Sequence, residues 1–277
     1  MATSPRLLVI GAHPDDAEYK AGGLAALYRQ AGCDVRFLVL TNGGAGHHRE
    51  YGASLAARRA VEATTATAAL GISCEIWDEP DGRLEPTLVC RERLIRAIRF
   101  YRPDLVLTHR PCDYHADHRA TSLLVQDAAY LLTVPAICPD APHLPLDPVI
   151  AYLSDDFSRP YPFQPTVIVD IAQVWQTKIA LLHAHRSQFY EWLPYNGCYA
   201  GQVPETEDAQ REWLASRMSG LSRRLADRFR ERLVEAYGPE RGAAAEHVEA
   251  FEACEYGALL DHRALQRLFL GVPMLSG

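Results

Sequence analysis

The 277-residue sequence lacks several features, and each absence narrows what the protein can be. No apolar stretch approaches the roughly 20 residues that a membrane-spanning helix needs, and the run at the N-terminus is too short for a signal peptide. No Cys-x-x-Cys pair occurs. The seven cysteines are odd in number and scattered at 33, 74, 90, 112, 138, 198 and 254, a pattern of reduced thiols in a cytoplasmic protein rather than a disulfide framework. Positive charge is not in excess: the formal net charge of -7 argues against a nucleic-acid surface, since phosphate binding depends on clustered Lys and Arg. A dinucleotide site is disfavoured as well, because the first strand-like run leads into His-Pro-Asp-Asp where Gly-x-Gly-x-x-Gly would stand. Internal repeats and low-complexity runs are absent.

What remains is an ordinary globular composition, 48% hydrophobic and 23% charged, on a chain long enough to bury a substantial core. Strand-like runs at 6–11, 35–40, 74–77 and 104–108 alternate with helical patterns at 20–31, 54–70 and 91–101. Gly32, Gly71 and Pro103 supply the stops after the three helices. That alternation predicts an α/β fold: a mostly parallel sheet with helices on both faces. Repeated prolines between 133 and 148 predict a loop that could border the functional site. Later strands are expected at 149–153 and 167–171, with a helix at 174–185. Beyond about 204 long Arg/Glu-rich helical patterns take over. The expected division is therefore residues 1–200 as the α/β domain and 201–277 as a helical C-terminal extension packed on it.

Two polar segments stand at the ends of predicted strands. Leu7-Leu8-Val9-Ile10-Gly11-Ala12 leads into His13-Pro14-Asp15-Asp16-Ala17-Glu18, and Leu105-Val106-Leu107-Thr108 leads into a loop carrying His115, Asp117 and His118. In an open α/β sheet ligands bind at the carboxyl ends of the strands. His13 and Asp16 are zinc-type donors three residues apart in a tight connection, and a third can come from the second segment. Asp15 is then left beside the ion, where a general base is needed. Alone, each segment has an ordinary explanation: Asp-Asp after a turn commonly caps a helix, and His-x-Asp-His commonly lies in a polar loop. Their pairing at two strand ends favours a metal site.

The same residues resemble the PIG-L/LmbE-like zinc-dependent N-acetylglucosaminyl de-N-acetylases. The matching pieces run from Ala12-His13-Pro14-Asp15-Asp16-Ala17-Glu18 through Thr41-Asn42-Gly43, Arg59-x-x-Glu62, Leu70-Gly71 and Pro103-Asp104-Leu105-Val106. They end with His115-Ala116-Asp117-His118 and His185-x-Ser187-Gln188. Two departures are visible: Ala17 separates the aspartates from Glu18, and Ala116 stands where one family form has Pro. Neither removes a donor.

The resemblance implies a Rossmann-like, LmbE-like fold and Zn2+ held by His13, Asp16 and His118, with another divalent ion such as Fe2+ as an alternative. It further implies Asp15 as base, His115 as oxyanion donor or amine-protonating group, Asp117 orienting His115, and Arg59 and Asp81 as substrate contacts. The implied activity is hydrolytic removal of an N-acetyl group from an N-acetylglucosamine-type conjugate, a small-molecule substrate. An amidase for a different N-acyl group and a non-catalytic metal- or sugar-binding relative are the alternatives. Self-association as a homo-oligomer is left open.

Overall fold

The computed structural model describes residues 4–273. Seven strands form one sheet: β1 (Arg6–Gly11), β2 (Asp34–Val39), β3 (Ser73–Ile76), β4 (Leu105–Thr108), β5 (Val149–Leu153), β6 (Val167–Asp170) and β7 (Val248–Ala253). The helices are α1 (Asp16–Gln30), α2 (Gly52–Ala68), α3 (Leu88–Tyr101), α4 (Ala116–Ala129), α5 (Trp175–Ala184), α6 (Leu193–Asn196), α7 (Glu207–Arg228), α8 (Arg230–Tyr237), α9 (Pro239–Ala244) and α10 (His262–Leu268). Strand order is β3-β2-β1-β4-β5-β7-β6. The first five strands pair in parallel, and β7 runs antiparallel to both neighbours. Among the described residues no helix is long and apolar enough to cross a membrane, and all seven cysteines are unpaired.

The pleat of β1 explains why both faces are covered. Leu7 and Val9 point into one buried layer with Leu24 and Ile179, while Leu8 and Ile10 point into another with Leu94 and Leu124. A strand buried on both faces reads as a continuous apolar run, which is what the sequence shows. The order reverses between β1 and β4, whose register sets Leu7 beside Leu105 and Ile10 beside Thr108. The loops leaving these two strands therefore emerge side by side at the sheet's carboxyl edge, the usual place for a ligand in such sheets.

Three expectations are amended. Helix α1 begins at Asp16, four residues earlier than the apolar periodicity suggests, because its first turn is polar. The segment expected as a loop around His118 is largely α4, with His115 as N-cap accepting a hydrogen bond from the Asp117 N–H; Asp117 and His118 thus sit in a helical first turn. The C-terminal part is helical from 207 to 244, yet it also contributes β7, inserted between β5 and β6. The stretch Val248-Glu249-Ala250-Phe251-Glu252-Ala253 is short and acidic, so its strand pattern is masked by the helical composition around it.

The proline-rich stretch 133–148 does not border the functional site. It is tied instead to Arg99 of α3, which is 1% exposed. The guanidinium donates to the carbonyls of Leu131, Leu132, Val134, Ile137, Cys138 and Ala141 at 2.6–3.1 Å. Prolines leave carbonyls without neighbouring N–H partners, and one planar five-donor group collects them. Arg99→Met should lower the unfolding free energy by about 3 kcal/mol, because it strands several buried carbonyls at once. Urea denaturation measures this, and a loss below about 1 kcal/mol would show that the clamp is dispensable.

Candidate metal centre

The connection after β1 is shaped by Gly11 and Asp16. A Cβ at Gly11 would lie 2.9 Å from the Asp16 Cβ, so only glycine lets the Asp16 carboxylate fold back over the turn. Asp16 Oδ2 accepts from the Ala12 N–H at 3.0 Å and the His13 N–H at 2.7 Å. His13 Nδ1 lies 3.5 Å from Asp16 Oδ2, His118 Nε2 lies 3.6 Å from Asp16 Oδ1, and the two ring nitrogens face each other at 3.2 Å. Donors bound tetrahedrally to zinc at 2.0–2.1 Å would be separated by about 3.3 Å. Two imidazoles and one carboxylate at these spacings suit a divalent metal, and the overlapping groups His13–His115–His118 and Asp16–His109–His118 each bring three donor atoms close enough to hold an ion.

The outer nitrogens of both histidines face carboxylates, the arrangement that fixes ring orientation in metal sites. His13 Nε2 lies 3.2 Å from Asp117 Oδ2 and 3.3 Å from Asp81 Oδ1. Asp117 is fully buried and also accepts from the Gly82 N–H at 2.7 Å and the Leu84 N–H at 3.1 Å. Its carboxylate thus orients His13, not His115 as the sequence suggests; what reaches His115 is the Asp117 backbone N–H, donating to Nδ1 at 3.2 Å. His118 Nδ1 lies 3.1 Å from Asp113 Oδ2. Burial works against ionisation of Asp16, but His118 beside it holds its carboxyl well below the usual range. A site so rich in carboxylate suits a cation.

Sequence reasoning missed two contributors. Asp113 is one. The other is His109, stacked on the His118 ring at 3.9 Å and 13°, whose Nε2 accepts the Ala12 N–H at 3.1 Å. Burial and the neighbouring His118 push His109 down to about 4, so it is neutral. Both follow the carboxyl end of β4, and that position was the available signal.

Asp15 stands at the N-cap position of α1 with φ 137° and no side-chain capping bond, a strained conformation for a non-glycine residue and one that structures retain chiefly at functional sites. Burial pushes its carboxyl up to about 6, against the opposing charge of Arg59. Arg59, 2% exposed, donates to Pro14 O at 2.8 Å, Gly43 O at 3.1 Å and Asp15 Oδ1 at 3.3 Å. Asp81 accepts from the Ala45 and Gly46 N–H groups at 3.0 and 3.2 Å. Both expected substrate residues line the cavity, but their polar atoms are largely committed to holding the loops. The His185-x-Ser187-Gln188 motif works beneath them: His185 faces Glu18 at 3.2 Å, Ser187 Oγ donates to Glu62 at 2.6 Å, and Gln188 donates to Gly46 O at 3.1 Å. His47 and His48 do not line the cavity; one pairs with Glu191 and the other stacks on Tyr195.

Above the cluster lies a cavity of about 330 Å³. Its floor is the histidine and aspartate set, and its walls include Tyr19, Tyr114, Phe157, Phe189, Trp192 and Leu193. The π-helical turn Ser187–Trp192 supplies part of that apolar wall; such turns recur at functional sites. His115, at the α4 N-terminus, is shifted down by burial and by His13 and His118, so its ring is neutral near pH 7.

Comparison with known proteins agrees with this geometry. The PIG-L family, described as GlcNAc-PI de-N-acetylase, matches residues 8–129. A diacetylchitobiose deacetylase of Thermococcus kodakarensis is 30% identical over 201 residues, covering 69% of this chain and 74% of that protein. A 4-oxalmesaconate hydratase of Pseudomonas putida is 27% identical over 196 residues, covering 68% and 76%. The solved N,N'-diacetylchitobiose deacetylase of Pyrococcus horikoshii superposes with a TM-score of 0.68 at 22% identity, covering 91% of this chain and 85% of that one.

If Asp117 orients His13, Asp117→Asn should keep the fold and weaken zinc affinity by about 10- to 100-fold. Competition against a chromophoric chelator measures it, and unchanged affinity would remove Asp117 from that role.

Proposed function

This chain belongs to the PIG-L family of de-N-acetylases, and we propose that it is a metal-dependent hydrolase removing the N-acetyl group of an N-acetylglucosamine-type conjugate. One observation carries the reading: at the floor of a single cavity, three donors spaced for one ion stand beside a carboxylate, Asp15, that is not among them. Zinc is the ion this donor set favours, with iron(II) as the alternative. Bound there by His13, Asp16 and His118, it would polarise the amide carbonyl and lower the pKa of water.

The chain's own residues supply the rest. Asp15, held by Arg59, accepts the proton of the attacking water. The Asp117 N–H occupies His115 Nδ1, so the neutral ring carries its proton on Nε2, available to the oxygen on which negative charge develops. When the carbon–nitrogen bond breaks, the amine nitrogen takes the proton that Asp15 accepted from water, and the second water proton passes to it from the new carboxyl group, so acetate and an ammonium are the products. Asp117 and Asp113 hold the histidine rings throughout, and the aromatic wall suits the apolar face of a pyranose.

The hydratase relative suggests a second chemistry, addition of water to an organic acid anion, and the cavity's charge weighs against it. Asp15, Asp16, Asp81, Asp113, Asp155 and Asp156 face only Lys20, Arg59 and Arg110 as fixed cations. The formal balance stays negative even with a divalent ion, which suits a neutral amide whose product is an ammonium. An amidase for a larger N-acyl group would use the same floor.

Asp15→Asn keeps a residue that tolerates positive φ and should cut kcat for acetate release by about 10² to 10⁴ while zinc content stays at wild-type level. His118→Ala should lose the metal itself. Acetate assays on N-acetylglucosamine conjugates, paired with metal analysis, read both, and near-wild-type turnover by Asp15→Asn would overturn the assignment.

A further inference from the structure

A second cavity, of about 390 Å³, adjoins the first and shares with it Tyr19, Lys20, Ser154, Asp155 and Asp156. It lies between α1, α5, α7 and β7, and its charge balance differs from that of the metal cavity. The Glu249 carboxylate is closed off by Lys178 Nζ at 2.5 Å and by the Gly23 and Leu24 N–H groups at 2.8 Å each. Asp155 Oδ1 is taken by Arg110 at 2.7 Å. Asp156 is almost wholly exposed, with Arg228 at 3.4 Å, and Arg228 also donates to Asp155 O. Glu249 and Asp156 are thus paired or solvated, and Asp155 is paired through Oδ1 while its Oδ2 is buried without a partner.

Two cations form no ion pair: Lys20, which lies 4.8 Å over the Tyr19 ring, and the exposed Arg224. Lys20 makes one hydrogen bond, to the neutral carbonyl of Ser154 at 2.8 Å, although an ammonium has three donors. Arg224 has no ion-pair or hydrogen-bond partner among the described residues. Beside them the lining is apolar, with Trp175, Met218, Leu221 and Leu225. A negatively charged group on an apolar or aromatic body matches that surface. The metal cavity, with its excess of carboxylates, repels the same group.

We propose that this second cavity is a subsite for the part of the conjugate remote from the scissile amide, and that it takes an acidic group there through Lys20 and Arg224. The orientation of the substrate rests on the deacetylase reading; the charge preference of the cavity does not. Opposite charge balance in two joined chambers would then set which end of the conjugate meets the metal.

The test compares two β-glycosides of N-acetylglucosamine, one with a 4-carboxyphenyl aglycone and one with its neutral 4-carbamoylphenyl counterpart. Wild-type protein should favour the acid by about tenfold in kcat/KM, expressed in KM, the size of one charge-assisted contact. Arg224→Glu should abolish or reverse the preference without changing the unfolding temperature, and Arg224→Lys should retain most of it. Equal kcat/KM for the two glycosides in wild type would overturn the subsite. If neither glycoside is hydrolysed, the deacetylase reading fails separately, and calorimetric Kd values for the same pair decide the subsite: tighter binding of the acid that Arg224→Glu removes supports it, and equal binding overturns it.

Discussion

Four carboxylates converge on two imidazoles at the carboxyl ends of β1 and β4, and the local structure is arranged to make that concentration of negative charge tolerable. Asp16, Asp81, Asp113 and Asp117 all lie within 3.6 Å of His13 or His118. Buried carboxylates are costly unless donors or cations answer them. Here backbone N–H groups answer first: those of Ala12 and His13 for Asp16, of Ala45 and Gly46 for Asp81, of Gly82 and Leu84 for Asp117, and of His115 for Asp113. Four separate loops are thereby pinned around one point. What backbone donors leave unanswered is a matched demand for a divalent ion.

The same economy appears in three buried arginines that face no simple one-to-one acidic partner. Arg59 ties the Asp15 turn to the glycine-rich loop, Arg99 gathers the proline-rich stretch, and Arg110 joins β4 to the loop after β5 through Asp155 and Tyr161 O. Each guanidinium replaces secondary structure with a planar fork of donors, so loops otherwise short of internal hydrogen bonds become rigid. Rigidity matters most at Asp15, where φ 137° is retained only if the surroundings over-determine it. Arg59 holds both the preceding carbonyl and the side chain of that residue, which is a direct means of doing so.

How much of this was legible depended on whether a residue's role is set by local chain or by neighbours across the sheet. His13, Asp15 and Asp16 could be read because they follow an apolar strand directly, and His118 because it closes a His-x-Asp-His segment in the connection after another, and the family resemblance sharpened their roles. His109 and Asp113 follow the same strand end but stand outside the His-x-Asp-His segment, and their roles depend on β4 pairing with β1 in the observed register. Asp117 was found but given the wrong partner, since spacing along the chain favours His115 while the fold delivers its carboxylate to His13. Strand β7 was hidden for a related reason. Its Glu249 turns inward to meet Lys178 and the α1 backbone, so the polar half of its alternation is not the solvent face.

Glu249 also connects the fold to the molecule's electrostatics. A helix α1 with two consecutive glycines, Gly22 and Gly23, packs closely against α5 and Ile171, and the β7 carboxylate bonds to its backbone at Gly23 and Leu24. With Lys178 this neutralises the floor of the second cavity. Lys20, one turn after Asp16 on that same helix, then stands on the boundary between two chambers of unlike charge balance. Helix α1 therefore carries the metal-binding carboxylate at its first residue and a boundary cation one turn later. A polar substrate with unlike ends would be sorted along the helix by the side-chain charges of the two chambers.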